Sequence, residues 1–188
     1  MSKPLLHVSG WIYYIFYLHG QNLLGENMEK KMLAALNKQI NAELYSAYLY
    51  LSMSAYFESV SLSGCAHWMR AQASEEQAHA MKFYKFINER RERVEFTAIE
   101  APKHEWRSIL EVFTDAFMHE QKVTKMIDAL MVIALETKDY ATQSFLKWFI
   151  DEQVEEEAHA DMIVQKFKMI GDNQAVLLAL DQELGKRE

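Results

Sequence analysis

The sequence of 188 residues contains a single cysteine, Cys65. That excludes an intramolecular disulfide and any Cys-x-x-Cys zinc or rubredoxin-type site, and it suits a reducing cytosol. Proline is nearly as scarce. Pro4 and Pro102 are the two prolines, and of the six glycines only Gly64, Gly171 and Gly185 lie beyond residue 27. Long stretches free of both residues are what uninterrupted helices require. No apolar run approaches the roughly 20 residues of a membrane span. Basic charge is not in excess either. The formal net charge of −7 argues against nucleic acid as the main partner, because phosphate binding needs a basic face. The expectation is one helical, cytoplasmic domain with no membrane-spanning part.

Residues 1–27 differ in character from the rest. Trp11-Ile12-Tyr13-Tyr14-Ile15-Phe16-Tyr17-Leu18 is an apolar run flanked by His7 and His19. It is too short to cross a bilayer, and no small-x-small cleavage site follows it as in a signal peptide. Gly25-Glu26-Asn27 can be encoded as GGA-GAA-AAT, which resembles a bacterial ribosome-binding site ahead of an ATG. The preferred expectation is that the gene starts at Met28, so that 1–27 is an apolar N-terminal extension and 28–188 the domain. A membrane-surface anchor and a segment packed on the domain are the alternatives.

From Met28 the pattern is helical. Helices are expected at about 29–58, from the Ser59–Gly64 turn to about 89, at 107–136, from Lys138-Asp139 to about 170, and at 174–184. A crossover spans Arg90 to Glu105, extended around Val94-Glu95-Phe96. Two short links make two antiparallel hairpins, and the long one is able to climb the full height of a bundle at ~1.5 Å per helical residue or more. The fold class is therefore all-α: a four-helix bundle with one long crossover and a short C-terminal fifth helix.

Each long helix carries an apolar stripe at steps of three and four. The stripes read Leu33, Leu36, Ile40, Glu43, Ala47, Tyr50; then Leu62, Ala66, Met69, Ala73, Glu76, Ala80, Phe83, Ile87. The third is Leu110, Phe113, Phe117, Glu120, Thr124, Ile127, Met131, and the fourth Leu146, Phe149, Gln153, Glu156, Ala160, Ile163, Phe167, Ile170. Each is polar only near its middle. Glu43 and Glu76 are 33 residues apart, as are Glu120 and Gln153, so the two hairpins look like related halves. Glu43, Glu76, Glu120, Gln153 and Glu156 should then share one layer with His79, three residues after Glu76. His159 makes a second Glu-x-x-His with Glu156, but one step beyond the matching position, and is left out. Unpaired, these acids would repel one another at a cost of several kcal/mol, to order of magnitude. Divalent cations resolve the clash, and a carboxylate-rich set with one imidazole suits iron or manganese before zinc or copper. Two metals about 3.5–4 Å apart need a bridging carboxylate, for which Glu76 is central.

Over 28–188 the chain resembles the non-haem ferritins of bacteria and archaea. The likeness rests on Asn41-Ala42-Glu43-Leu44-Tyr45-Ser46-Ala47-Tyr48-Leu49-Tyr50, Glu75-Glu76-Gln77-Ala78-His79, His119-Glu120 and the stretch from Trp148 to Glu157. The resemblance implies a ferroxidase centre in which Glu43, Glu76 and His79 hold one iron and Glu76, Glu120 and Glu156 the second, with Gln153 close by. It implies a weaker third iron position at Glu75, Glu152, Glu155 and Glu156, and a redox-capable tyrosine at Tyr50. Bacterioferritins place a haem-ligating methionine directly after the bridging glutamate; Gln77 stands there, so no haem is expected. The implied activity is oxidation of Fe(II) by O2, with the ferric product stored as a mineral inside a homo-oligomeric shell of 24 subunits. The fifth helix, apolar through Val176-Leu177-Leu178-Ala179-Leu180, would line a symmetry axis of that shell.

Two other functions compete. A rubrerythrin-like di-iron peroxidase typically carries a Cys-x-x-Cys electron-transfer domain, which one cysteine cannot supply. A non-catalytic shell whose acids only bind divalent cations is the other. The remaining residues have plainer roles: His67, His104 and His119 at the surface or in support, Trp68, Trp106 and Trp148 as packing anchors, Cys65 as a small hydrophobe. Arg90-Arg91-Glu92-Arg93 reads as a solvated link.

Overall fold

The computed structural model describes residues 28–171 and 173–187. The readings made for residues 1–27 lie outside them. The described residues contain five α-helices: α1 Lys30–Ser59, α2 Ser63–Glu89, α3 Ile109–Glu136, α4 Tyr140–Ile170 and α5 Gln174–Leu184. The helices α1 and α2 pair as one hairpin and α3 and α4 as another; α1 also packs on α3, and α5 lies against α2 and α4. This is the expected bundle with one crossover and a short fifth helix. No described helix is long and apolar enough to cross a membrane.

Local chemistry sets the helix ends. The Ser108 hydroxyl accepts from the Glu111 amide at 3.1 Å, so α3 begins at Ile109 rather than at the expected 107. Asp139 caps α4 by accepting from the Thr142 amide at 3.1 Å, and Asn173 caps α5 through Val176. Gly171 ends α4 at a φ of 55°, a backbone region that disfavours side chains. The crossover is held by side chains on one face of α1. Asn37 accepts from the Glu95 amide at 2.8 Å, Asn41 donates to the carbonyls of Thr97 and Ala98, and Ser52 donates to the Lys103 carbonyl at 2.7 Å. From Asn37 to Ser52 the link climbs about 22 Å of helix.

Arg90 departs from the solvated role expected of it. Its guanidinium pairs with Asp139 at 2.8 Å and reaches Thr142 at 3.3 Å, with both charged side chains largely covered. It ties the C-terminal end of α2 to the turn that starts α4.

The apolar core comes in two clusters. One holds Tyr50, Met53, Phe57, Ala66, Met69, Phe113 and Phe167, with partners around them. The other holds Met32, Leu36, Ile40, Phe83, Ile87, Ile127, Leu146 and Phe149. On every long helix the break between the clusters falls at the polar positions. The expected stripes on α2 and α4 are buried throughout, apart from a half-buried Ile170. On α1, Leu33 and Ala47 are half-buried, while Met32 and Ser46 turn inward. The α3 stripe is rotated. Leu110, Phe117, Thr124 and Met131 are half-buried, whereas Val112, Ala116, Val123, Leu130 and Ala134 join Phe113, Glu120 and Ile127 inside. Apolar residues cover so wide an arc of α3 that spacing alone does not select the buried edge.

Candidate metal centre

The four long helices deliver Glu43, Glu76, His79, Glu120, Gln153 and Glu156 to the layer between the clusters, each buried to 5% exposure or less. Among the described residues, Glu43, Glu76 and His79 form the one acid–histidine group whose potential ligand atoms all lie within 4.8 Å of one another. Glu76 comes from the α2 stripe, and His79 follows one turn later, which puts its Nδ1 3.6 Å from Glu76 Oε2. Edge contacts from Trp148 and Phe149 hold the imidazole ring.

The other two acids of the layer are satisfied by neutral donors. Glu120 accepts from the Tyr50 hydroxyl on one oxygen and from Gln153 Nε2 at 3.2 Å on the other. Glu156 accepts from Gln72 Nε2 at 2.9 Å, and Glu43 from Gln39 Nε2 at 2.9 Å. One oxygen each of Glu43 and Glu76 remains buried with no hydrogen-bond partner. Orphaned carboxylate oxygens in a dry interior are costly unless a cation meets them, so this donor set fits a hard divalent ion.

The electrostatics run the same way. Burial, and then the neighbouring Glu76, pushes the Glu43 carboxyl well above the ordinary range. Glu76 rises through burial and the charges of Glu120 and Glu156, and Glu156 through burial. Burial pushes Glu120 up to about 7, against the lowering bond from Tyr50. Burial and then Glu120 also raise the Tyr50 phenol, keeping it protonated as a donor. Burial and mutual repulsion leave four carboxyls of one layer reluctant to ionise, a cost that a bound cation would relieve.

The outlying acids are not gathered in the same way. Glu155 is exposed and Glu152 half-buried, while the Glu75 carboxylate is engaged by Arg187 Nη2 at 2.5 Å. His159 is exposed, and Gln77 faces outward as well.

Several supporting residues escape a reading by stripes. Gln39 and Gln72 are fully covered and each stands four residues before a layer glutamate, a repeat across α1 and α2 that gave a usable signal. His119, expected at the surface or in support, is half-buried and supports: it shares a 2.8 Å hydrogen bond with Ser46 and stands edge-on to Tyr50. Burial, and then Lys122, lowers its pKa to about 4 and keeps it neutral. A helix position next to Glu120 carries no sequence mark of which way it turns.

The model of the ferritin-like domain matches residues 33–170. The chain belongs to the ferritin family. It is 44% identical over 160 residues to bacterial non-heme ferritins of Staphylococcus aureus and Staphylococcus haemolyticus, an alignment spanning 85% of this chain and 96% of theirs. Among solved structures it is similar to an open-pore ferritin from the hyperthermophilic archaeon Archaeoglobus fulgidus. Identity there is 51% and the TM-score 0.85, covering 86% of this chain and 99% of that one. A closed form of that ferritin, engineered by mutagenesis, is 52% identical with the same TM-score, covering 86% and 98%. A bundle stabilised only by its core would have no reason to interrupt it on four helices at one height.

Proposed function

We propose that the chain is an iron-storage ferritin with ferroxidase activity, oxidising Fe(II) with O2 at a dinuclear centre inside each bundle. The observation that carries this reading is the buried layer of Glu43, Glu76, His79, Glu120, Gln153 and Glu156 between two apolar clusters, with partnerless oxygens on Glu43 and Glu76. Glu43, Glu76 and His79 would hold one Fe(II). Glu120 and Glu156 would turn from their neutral donors to hold the second, with Glu76 shared between the two. Gln153 steadies Glu120 and would lie beside the second ion.

Two Fe(II) ions give up one electron each, so O2 is reduced to the peroxide level with uptake of two protons. The chain's own share is positional. It holds the metals close, keeps water from the surrounding core, and releases protons from carboxyls that are protonated without metal. Tyr50, hydrogen-bonded to Glu120, stands where it can give an electron to the centre.

The reading extends to a shell of 24 subunits storing the ferric product, as the family resemblance implies. Glu75, Glu152, Glu155 and Glu156 would offer the weaker third iron position. The test is aerobic loading of the purified protein with Fe(II) in large excess over subunits, followed by size-exclusion chromatography. Iron co-eluting with a hollow particle of ferritin size supports storage. Ferric precipitate with an iron-free protein peak overturns it.

A further inference from the structure

Beyond α5 the chain folds back on α2, and Arg187 ends at Glu75, the residue directly before Glu76. Its Nη2 lies 2.5 Å from Glu75 Oε2, and its guanidinium stacks over the Trp68 ring at 4.7 Å. His67 Nε2 donates to the Arg187 carbonyl at 2.7 Å, so main chain and side chain are both anchored. The Arg187 side chain is 21% exposed, its Nη1 is buried without a partner, and its charge reaches Glu156 as well. Trp68, Gln72 and Glu75 follow one another on a single stripe of α2, and Gln72 holds Glu156. The arginine therefore lies along the surface that leads to the metal layer.

We propose that Arg187 is a resident counter-cation for Glu75 that competes with a divalent cation for that carboxylate. The inference rests on the reading above, in which Glu75 and Glu156 belong to the third iron position. Most exposed ion pairs contribute little because two long side chains must be immobilised together. Here stacking on Trp68 holds the guanidinium and the His67 bond holds the backbone behind it, and the planar fork suits a carboxylate. A cation arriving at Glu75 has to displace it or sit beside a like charge. The dinuclear pair fills first, and the outlying position stays weak because its acid is already neutralised. The placement depends on α5, whose Asp181 and Leu184 are buried against the start of α2.

The test is anaerobic calorimetric titration of the assembled, metal-free full chain with Zn(II), comparing wild type with R187Q, R187K and the E75Q/R187Q double variant. R187Q is expected to bind a third cation at least tenfold more tightly than wild type, with the two tight sites unchanged. R187K, which keeps the charge but loses the fork and the stacking, should fall between wild type and R187Q, and E75Q/R187Q should lose the gain. An unchanged or weaker third cation in R187Q, or an equal gain in R187K, would overturn the proposal while leaving two tight sites standing. Absence of two tight cations from all four proteins would overturn the dinuclear reading itself, and this inference with it.

Discussion

Tyr50 on α1 donates its phenolic hydrogen to Glu120 on α3, and both side chains are fully buried. The bond joins the two hairpins at the height of the polar layer. It also occupies a carboxylate oxygen that a second metal ion would otherwise take. Tyr50→Phe removes the donor and leaves a buried acceptor with less support, a loss of about 1–3 kcal/mol to the metal-free fold. The particle should still assemble. Thermal unfolding of metal-free protein and the rate of Fe(II) oxidation are the readouts: lower stability together with slower oxidation is expected.

Glu120 makes the metal-free protein sensitive to pH. Its carboxyl titrates at about 7 in the fold against 4.5 when unconstrained, with burial the leading cause. A folded-state pKa above the unfolded value means that the fold holds the proton more tightly. The stability this contributes is present at low pH and lost as pH rises from 4.5 through about 7. Glu120→Gln cannot ionise. Apparent melting temperature plotted against pH should therefore fall less steeply for this variant than for wild type across that window, and added Zn(II) should flatten the wild-type curve.

Gly64 is required by a close approach rather than by its backbone angles. A methyl group built there would lie 1.7 Å from the Asp181 carbonyl oxygen, and the Asp181 side chain accepts from the Cys65 amide at 2.8 Å. α5 thus caps the start of α2 from a distance of more than a hundred residues in sequence. Gly64→Ala should push α5 away and lose that cap, at a cost of about 2–4 kcal/mol. Cys65 reports the event. Buried, and with its thiol pushed up by burial and Asp181, it should resist a thiol reagent in wild type and react readily in the variant.

The Arg90–Asp139 pair does two things at once, because Asp139 also caps α4. Asp139→Ala removes the cap and strands a partly covered guanidinium. A loss of about 2 kcal/mol is expected, against less than 1 for Lys31→Ala, whose pair with Glu136 is exposed. Chemical denaturation of the two variants side by side makes the comparison.

How much was legible in the chain depended on how locally each feature is encoded. Stripes with a period near 3.6 gave the helices, and the interruption of all four stripes at Glu43, Glu76, Glu120 and Gln153 gave the layer. Where apolar residues cover a broad arc, as on α3, the stripe was placed with its edge wrong: Phe117 and Met131 are half-buried and Val123 and Leu130 are inside. The crossover was legible as a long link, but its attachment to Asn37, Asn41 and Ser52 was not, because nothing local marks those side chains as partners of a distant backbone. The same holds for the links from Arg187 to Glu75 and from Asp181 to Cys65. Each joins residues more than a hundred positions apart, and only the packing of α5 brings them together.

The central claim, a dinuclear centre that oxidises Fe(II), is tested most directly by rapid mixing of metal-free protein with Fe(II) in air, wild type beside Glu76→Ala. The account predicts a fast phase saturating near about two Fe(II) per subunit in wild type and its near-complete loss in the variant. Equal slow oxidation in both proteins would contradict it, and the buried layer would then be a cation-binding site without this chemistry.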